Sequence, residues 1–369
     1  MLIKAQPTAQ PQLDTTREWV TAVGRAALAA AWAAQRPGNT ERFLPPAQAT
    51  QLSRTWVQTA DYWELPLWHR TAPSHTDAAP VLLAVGPDMR SGCLDLTPER
   101  SLVNALHHAG HDVYLFSHRG DPEARPPAQA HGFDFDDMVA KDLQATIDAI
   151  RQRTGAKRVL FVGHGLGGLL FVAHLARVGT GELAGGVVLN TPVQFSHTSS
   201  RSREVHRVAS LLPPHWTIPH RAIQRVLLAS GRDATIRQYT HQVDGPTLRR
   251  MALDQTADLS TGLMRQIARW HQTGRLCDRD DRFDDLCALQ GRRFPLLSIC
   301  ADDDPTCTPD AARPLTDALE DSRFEALQGG WGHLDTIASE LATREVFPRI
   351  TQWLDQHRRR CWDQDMMST

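Results

Sequence analysis

One stretch of the chain, residues 158–173 with the sequence RVLFVGHGLGGLLFVA, constrains the fold more than any other. A short apolar run ends in a cluster of glycines and passes at once into apolar residues at helical spacing. This pattern predicts a buried parallel strand that turns sharply into a helix packed back over the sheet. Glycine at positions 163 and 167 fits such a turn, because the turn leaves no room for a Cβ beside its central residue.

The spacing Gly163-x-Gly165-x-Gly167 matches the G-x-S-x-G nucleophile elbow, except that glycine occupies the central position. A covalent acyl intermediate needs an oxygen or sulfur atom there, and a hydrogen atom cannot replace it. Three interpretations of Gly165 remain open. Glycine relaxes a strained position after selection for a nucleophile has ended, or the site works without a side-chain nucleophile, or glycine is a deliberate inactivating replacement of serine.

Composition excludes several classes of function. The formal net charge of −2 gives no reason to expect nucleic acid or an anionic membrane as a partner. Six cysteines without a C-x-x-C pair predict reduced thiols in a cytoplasmic protein rather than a disulfide framework or a zinc site. The 17 histidines show no metal-ligand spacing, so a metal site is not expected. No cofactor is predicted either. No apolar run approaches the roughly 20 residues that span a bilayer.

The remaining chain alternates strand and helix patterns. Residues 56–70 read as an antiparallel hairpin, and later apolar runs predict strands at 81–85, 113–116, 158–162, 186–189, 294–300 and 322–326. Apolar residues at helical spacing predict helices at 16–35, 98–109, 136–153 and 337–359. Strand and helix in alternation predict an α/β fold with a doubly wound, mostly parallel sheet.

The alternation stops between residues 195 and 286, where the sequence is polar, rich in His and Arg and helical in pattern. An insertion of this size between late core strands predicts a helical lid over the carboxyl edge of the sheet. We therefore expect four parts: an N-terminal tail and helix (1–50), a first part of the core (51–195), the lid (196–285) and a second part of the core (286–369).

Two later segments of the chain carry polar residues that are expected to lie beside the glycine turn. Asp302, Asp303 and Asp304 follow the strand at 294–300, at the sheet edge where α/β proteins place their sites. His333 follows the last strand, and Asp335 next to it is expected to help hold the histidine loop. The chain order of elbow, acid and histidine is the order found in α/β-hydrolases.

On these motifs the sequence resembles the α/β-hydrolase superfamily, in the branch of lipase-like enzymes and polyhydroxyalkanoate synthases. Residues 95–103 (DLTPERSLV), 112–115 (DVYL) and 191–195 (TPVQF) resemble synthase patterns. Residues 133–138 (FDFDDM) and 332–335 (GHLD) resemble acid lipases. The resemblance runs from about residue 60 to the C-terminus and is weakest in the lid.

The resemblance implies a role for each matching position. Gly165 occupies the nucleophile position, His333 that of the general base, and Asp304, favoured over its two neighbours, that of the orienting acid. Leu166 would supply one oxyanion N–H group at the start of a helix. Since Pro87 has no N–H, Asp88 or Met89 would supply the second.

Three further side chains are weighed as substitutes for the missing nucleophile. His164 precedes the tip of the turn, and its side chain is expected to point away from the pocket. Cys93 and Ser91 follow the first parallel strand and could approach the site, but a cysteine in such a place is more often simply packed.

Several functions fit this pattern. The pocket would bind a small acyl compound, an ester, thioester or lactone, and His333 with Asp304 would activate water directly or transfer a proton in an elimination or cyclisation. The protein could instead be a catalytically inactive homologue that binds a ligand or a partner protein, or a serine esterase or lipase carrying an inactivating glycine. A polymer synthase is least favoured, because no cysteine stands at the elbow. A homo-oligomer is also possible.

Overall fold

A computed structural model of the protein describes residues 51–73, 78–130, 132–196, 212–213, 215–229 and 237–362. The predicted tail and helix at 1–50 lie outside these residues. The strands have the following bounds: β1 Ser53–Gln58, β2 Glu64–Arg70, β3 Pro80–Ala84, β4 Asp112–Leu115, β5 Val159–His164, β6 Leu183–Leu189, β7 Thr217–Ile218, β8 Leu259–Ser260, β9 Arg292–Cys300 and β10 Leu319–Ala326.

Eight of these strands form one sheet in the order β1-β2-β4-β3-β5-β6-β9-β10. β1 pairs antiparallel with β2, and β2 antiparallel with β4. Every other pair in this sheet is parallel. The predicted doubly wound, mostly parallel sheet is therefore confirmed, with the predicted hairpin forming its antiparallel edge.

Helices flank the sheet and join its strands. Their bounds are Leu102–His108, Phe135–Asp137, a π-helical segment Met138–Leu143, Gln144–Thr154, Leu166–Arg177, His220–Ala229, Gly245–Asp254, Thr261–Thr273, Asp285–Ala288, Pro309–Ala312, Pro314–Ala318, Asp335–Ala338, Glu340–Glu345 and Phe347–His357, with 3₁₀ turns at Ser91–Leu94 and Arg358–Cys361. In the described residues between β6 and β9, helices predominate and the two short strands pair with each other. The limits of the lid at 196 and 285 remain a prediction.

Two helices differ from their predicted bounds because a serine caps them. The helix predicted at 98–109 begins at Leu102, since the Ser101 hydroxyl accepts a hydrogen bond from the Asn104 N–H at 2.8 Å. The single helix predicted at 337–359 is instead three helices. Ser339 adopts an extended backbone conformation and caps the second of them, accepting from the Ala342 N–H at 3.0 Å.

The sheet separates two apolar cores, which explains the apolar runs in its central strands. Val159 and Phe161 of β5 face one cluster, whereas Leu160 and Val162 face the other. Both faces are covered by helices, so successive residues of a central strand are buried whichever way they point. The C-terminal helix contributes its predicted buried residues Ile350 and Leu354 to the second cluster.

The turn after β5 depends on very close backbone approach. A Cβ on Gly163 would lie 2.5 Å from Gly168 Cα, and a Cβ on Gly167 would lie 2.5 Å from the Ala84 carbonyl oxygen. These contacts are with backbone atoms, which cannot rotate away as a side chain could. Both glycines are thus required for the helix Leu166–Arg177, called here the elbow helix, to start directly above the sheet.

We predict that Gly167→Ala destabilises the fold by about 1–3 kcal/mol, the usual cost of overpacking a well-packed site. Gly181→Ala is the matched control, because a Cβ at that position meets no atom within 4 Å. Urea unfolding of both variants measures the difference. Equal unfolding free energies would contradict the steric requirement at Gly167.

Candidate active site

Gly165 lies at the tip of the turn, in a conformation that side chains rarely adopt. Its φ is +56° and its ψ is −124°, and its N–H donates to the Leu189 carbonyl oxygen at 2.9 Å. Leu166 is the first residue of the elbow helix, so its N–H has no acceptor within the helix. The positive end of the helix dipole therefore points to the space beside Gly165.

The structure brings His333 and Asp304 together beside this turn. His333 Nδ1 lies 2.6 Å from Asp304 Oδ2, and the other Asp304 oxygen accepts from the Thr306 N–H and hydroxyl, each at 2.7 Å. The second ring nitrogen of His333 faces the elbow, because a Cβ on Gly165 would lie 3.2 Å from Nε2. A serine at 165 would thus place its hydroxyl beside that nitrogen.

Each member of this pair stabilises the charged form of the other. Burial alone would raise the pKa of Asp304, but the charge and hydrogen bond of His333 and the hydrogen bonds of Thr306 leave it below the ordinary value. Burial likewise opposes a charge on His333, but Asp304, with a smaller contribution from Asp88, raises its pKa above the ordinary value. Asp304 therefore stabilises the imidazolium that forms when His333 takes a proton.

The three consecutive aspartates have different contacts. Asp302 accepts hydrogen bonds from the N–H groups of Gly329, Gly330 and Trp331, at 2.8, 3.1 and 2.7 Å. The exposed Asp303 pairs instead with His241 at 3.1 Å. Of the three, Asp304 is the one that contacts His333, and Asp302 holds residues 329–335, called here the histidine loop.

The backbone carbonyl of His333 is also held. His164 Nε2 lies 3.0 Å from this oxygen, and Asn190 Nδ2 donates to it at 2.8 Å. His164 is buried, and burial, together with the charge of His333, lowers its pKa to about 3. His164 thus supports the histidine loop, and the orientation of its side chain away from the pocket stays a prediction.

Asp335 connects the histidine loop to the inserted segment. Its carboxylate is fully buried and accepts from the Gly332 N–H at 2.7 Å and the His241 N–H at 2.9 Å. It also accepts from the Gln242 N–H and the Thr240 hydroxyl. Residues 240–242 are thereby fixed against the loop that carries His333.

The two candidates for the second oxyanion N–H have different environments. The Met89 N–H donates to the Gly86 carbonyl oxygen at 3.0 Å, so it closes a turn and is not directed at a ligand. Met89 is therefore a poor candidate, and Asp88 remains. The Asp88 carbonyl accepts from the Ala257 N–H at 2.9 Å, which anchors this loop to the inserted segment.

The Asp88 side chain, as distinct from its N–H group, places a carboxylate near the elbow. A Cβ on Gly86 would lie 2.7 Å from Asp88 Oδ1 and 3.7 Å from Leu166 Cβ. The carboxylate thus folds back along the loop near the start of the elbow helix. Its negative charge adds to the electrostatic field that raises the pKa of His333.

Cys93 and Ser91 lie in the 3₁₀ turn after this loop and are packed. Cys93 is completely buried and Ser91 is 5% exposed. Burial, with the nearby charge of Asp88, raises the pKa of the Cys93 thiol far above its ordinary range. A thiol that resists ionisation in this way is a poor nucleophile.

Sequence reasoning missed two residues that support the pair. Thr306 Oγ1 lies 3.1 Å from His333 Nδ1 while it donates to Asp304, so it is shared between both groups. Asn190 has a φ of +48°, and its Oδ1 accepts from the Ala301 N–H at 2.8 Å. Asparagine directly after a strand is a weak signal for this left-handed conformation, whereas nothing in the pattern indicated Thr306.

The described residues were also compared with the requirements of a metal site and of a membrane span. In these parts of the chain, no group of three or more His, Cys, Asp or Glu side chains is arranged to hold a metal ion. Nor does any helix there combine the length and apolar character required to cross a bilayer.

Comparison with known proteins agrees with this fold and arrangement. A family model described as alpha/beta hydrolase fold matches residues 90–337. The protein therefore belongs to the α/β-hydrolase fold family, and its predicted membership is confirmed.

Among curated proteins, the chain is similar to both kinds of relative that its motifs indicated. It is 21% identical to the poly(3-hydroxyalkanoate) polymerase subunit PhaC of Haloferax mediterranei, over 79% of this chain and 61% of that protein. It is 40% identical to human gastric triacylglycerol lipase over a shorter stretch, 19% of each chain. The chain thus spans less than two thirds of the length of either relative.

Solved structures show the same fold at low sequence identity. A bromoperoxidase from Bacillus anthracis has a TM-score of 0.58 at 16% identity, with 82% of this chain and 100% of that chain covered. A monoacylglycerol lipase from Paleococcus ferrophilus has a TM-score of 0.56 at 17% identity, with 84% and 100% covered.

The charge pairing at His333 can be tested directly. We predict that Asp304→Asn lowers the pKa of His333 below the ordinary value of about 6.5, because burial then acts without the compensating charge. The titration of the His333 ring protons, followed by NMR and assigned with His333→Gln, measures this shift.

Asp303→Asn is the matched control, because that carboxylate pairs with His241 rather than His333. Its effect on the His333 titration should be small. If both variants shift the His333 pKa equally, the pairing with Asp304 is not what raises it.

Proposed function

We propose that the protein binds a small acyl compound beside Gly165 and that His333, oriented by Asp304, activates a water molecule that attacks the acyl carbon. The observation that carries this proposal is the position of His333 Nε2, which lies 3.2 Å from where a Cβ at residue 165 would be. A water oxygen in hydrogen-bond reach of Nε2 would occupy roughly the place of a serine hydroxyl. The proton that His333 takes from water is returned to the leaving oxygen or sulfur as the acyl bond of the ester, thioester or lactone breaks, which leaves the carboxylic acid and an alcohol or thiol.

The buried pair supports a role in proton transfer. Asp304 accepts hydrogen bonds from Thr306 and His333, so it is held in one orientation. Asp304 stabilises the imidazolium that forms when Nε2 takes a proton from water. A protein that bound its ligand without proton transfer would have no need of a histidine whose orientation and charge are controlled in this way.

The oxyanion that forms on the acyl group would be stabilised at the start of the elbow helix. Leu166 is the proposed first donor, and the Asp88 N–H the second. In serine proteases, about 10³–10⁴-fold acceleration over water remains after triad residues are removed. Direct attack by water is therefore chemically reasonable without a nucleophilic side chain, although it is slower than attack by serine.

A second candidate function follows from the same 3.2 Å distance between His333 Nε2 and a Cβ at residue 165. A serine hydroxyl at 165 would meet His333 without rearrangement of the main chain, since Gly165 already has the backbone conformation of the turn. The site is then that of a serine esterase or lipase in which glycine removes the nucleophile. Such a protein would bind acyl ligands and not turn them over.

The two candidates are separated by a paired assay of the unchanged protein and Gly165→Ser. Short and long p-nitrophenyl esters report turnover, and a serine-directed phosphonate reports an activated hydroxyl. If water is activated directly, the unchanged protein hydrolyses ester and loses this activity with His333→Ala. We expect the rate to rise with pH and to level off above the pKa of His333, because only the neutral imidazole takes a proton.

His108→Ala is the control for loss of a histidine, because His108 is exposed at the end of the helix Leu102–His108, away from the site. Activity and phosphonate labelling that appear only with Gly165→Ser would show that glycine inactivates a serine site. No turnover by either folded form would overturn the hydrolytic proposal and leave a ligand-binding role.

The charge of Asp88 can be separated from its backbone N–H. Asp88→Asn keeps the N–H but removes a negative charge close to where the oxyanion would form, so we predict faster ester hydrolysis and a lower pKa for His333. Rates across pH, compared with the NMR titration, measure both effects. A slower reaction with an unchanged His333 pKa would mean that the carboxylate itself takes part.

A further inference from the structure

A cavity lies at the opposite end of the parallel strands from Gly165. It has a volume of about 580 Å³, and its walls include Ser53, His69, Arg70, Thr71, Asn104 and His107. Arg70 ends β2 and pairs with Val113 near the start of β4, so the cavity lies at the amino ends of the parallel strands. It therefore shares no residue with the site at their carboxyl ends.

Arg70 supplies a fixed positive charge to this cavity. Among the described residues, the guanidinium hydrogen bond is to Asn104 Oδ1, at 2.8 Å. A guanidinium has five N–H donors in a planar fork that matches carboxylate and phosphate groups. The nearby Asp95 partly compensates this charge but does not line the cavity.

His69 has a buried nitrogen atom that no described residue satisfies. Its side chain is 3% exposed, its Nε2 lies 2.8 Å from Asp112 Oδ1, and its ring stacks on Tyr114 at 4.3 Å between centroids. The other nitrogen, Nδ1, is buried without a hydrogen-bond partner in the described part of the chain. A polar atom buried in this way indicates a missing partner, either water or a ligand.

His107 is a second imidazole in the wall of this cavity. Its Nδ1 is also buried without a partner among the described residues. Burial lowers the pKa of His107, and the positive charges of Arg70 and His108 lower it further. An anion in the cavity would relieve this repulsion.

The carboxylates near the cavity already have partners. Asp112 accepts from His69, from the Tyr114 hydroxyl and from the Ala72 N–H. Asp95 accepts from the Ser101 hydroxyl at 2.6 Å. The described lining residues thus present a guanidinium and two imidazoles, and none of them is a carboxylate.

We propose that this cavity is a binding site for a small polar anion that carries a phosphate or carboxylate group. Arg70 binds the anion through its planar fork, and His107 donates to it from Nδ1. Because His69 donates from Nε2 to Asp112, its Nδ1 is an acceptor that contacts a hydroxyl group of the ligand. The volume is in the range of small-molecule sites, and the polar walls select a hydrophilic ligand rather than an acyl chain. This site is independent of the proposed hydrolytic reaction.

Titrations of the full chain with inorganic phosphate and with citrate, at constant ionic strength, test the proposal. Calorimetry gives the affinity, and the ring protons of His69 and His107 report the place of binding by NMR. Loss of a charge-assisted hydrogen bond corresponds to an affinity roughly tenfold or more weaker, so we expect at least this loss with Arg70→Gln. His107→Gln should also weaken binding, and Arg70→Lys, which keeps the charge without the fork, should lie between.

Arg293→Gln is the matched control, because Arg293 is an exposed arginine that pairs with Asp321 elsewhere on the surface. Saturable binding that Arg70→Gln and His107→Gln weaken, and that Arg293→Gln leaves intact, supports the site. The preference between phosphate and citrate identifies the anionic group. Absence of saturable binding of either anion at millimolar concentration, or equal weakening by Arg293→Gln, would overturn it.

Discussion

The close approach of the elbow to its neighbouring strands is the constraint on which the rest of the site depends. Gly167 lies against the backbone of Ala84 and Val85 at the end of β3, and Gly168 lies against Thr191 after β6. A Cβ at either glycine would collide with these atoms. Because contact is possible only without side chains, the elbow helix begins at the sheet edge, with its first N–H groups directed at the space beside Gly165.

A second set of contacts positions His333 without any contribution from residue 165. Asp302 and Asp335 bind the backbone of the histidine loop, and Asn190 holds the carbonyl of His333 itself. Asp304 then orients the ring. Fixed neighbours of this kind are what a precise catalytic geometry requires. Their independence from the missing side chain explains how an ordered acid–histidine pair coexists with glycine at the nucleophile position.

Much of this architecture was predictable from local pattern. The apolar runs of β3, β5 and β9 are long enough to indicate strands buried on both faces, and the glycine spacing indicated the elbow. Helix caps were harder to predict from the sequence. Apolar residues at helical spacing continue on both sides of Ser339, so the segment was predicted as one helix although Ser339 caps a separate one. Met89 also looked equivalent to Asp88 in the sequence, because the turn that engages its N–H depends on the folded path of the loop.

Residue type and spacing along the chain were enough to predict the α/β class, the order of elbow, acid and histidine, and the absence of a nucleophilic atom at 165. The folded chain was needed to show which aspartate reaches His333, that Thr306 and Asn190 lie beside the pair, and that Arg70, His69 and His107 line a distant cavity. These contacts depend on distances between segments that are far apart in sequence, and such distances cannot be derived from the spacing of residues along the chain.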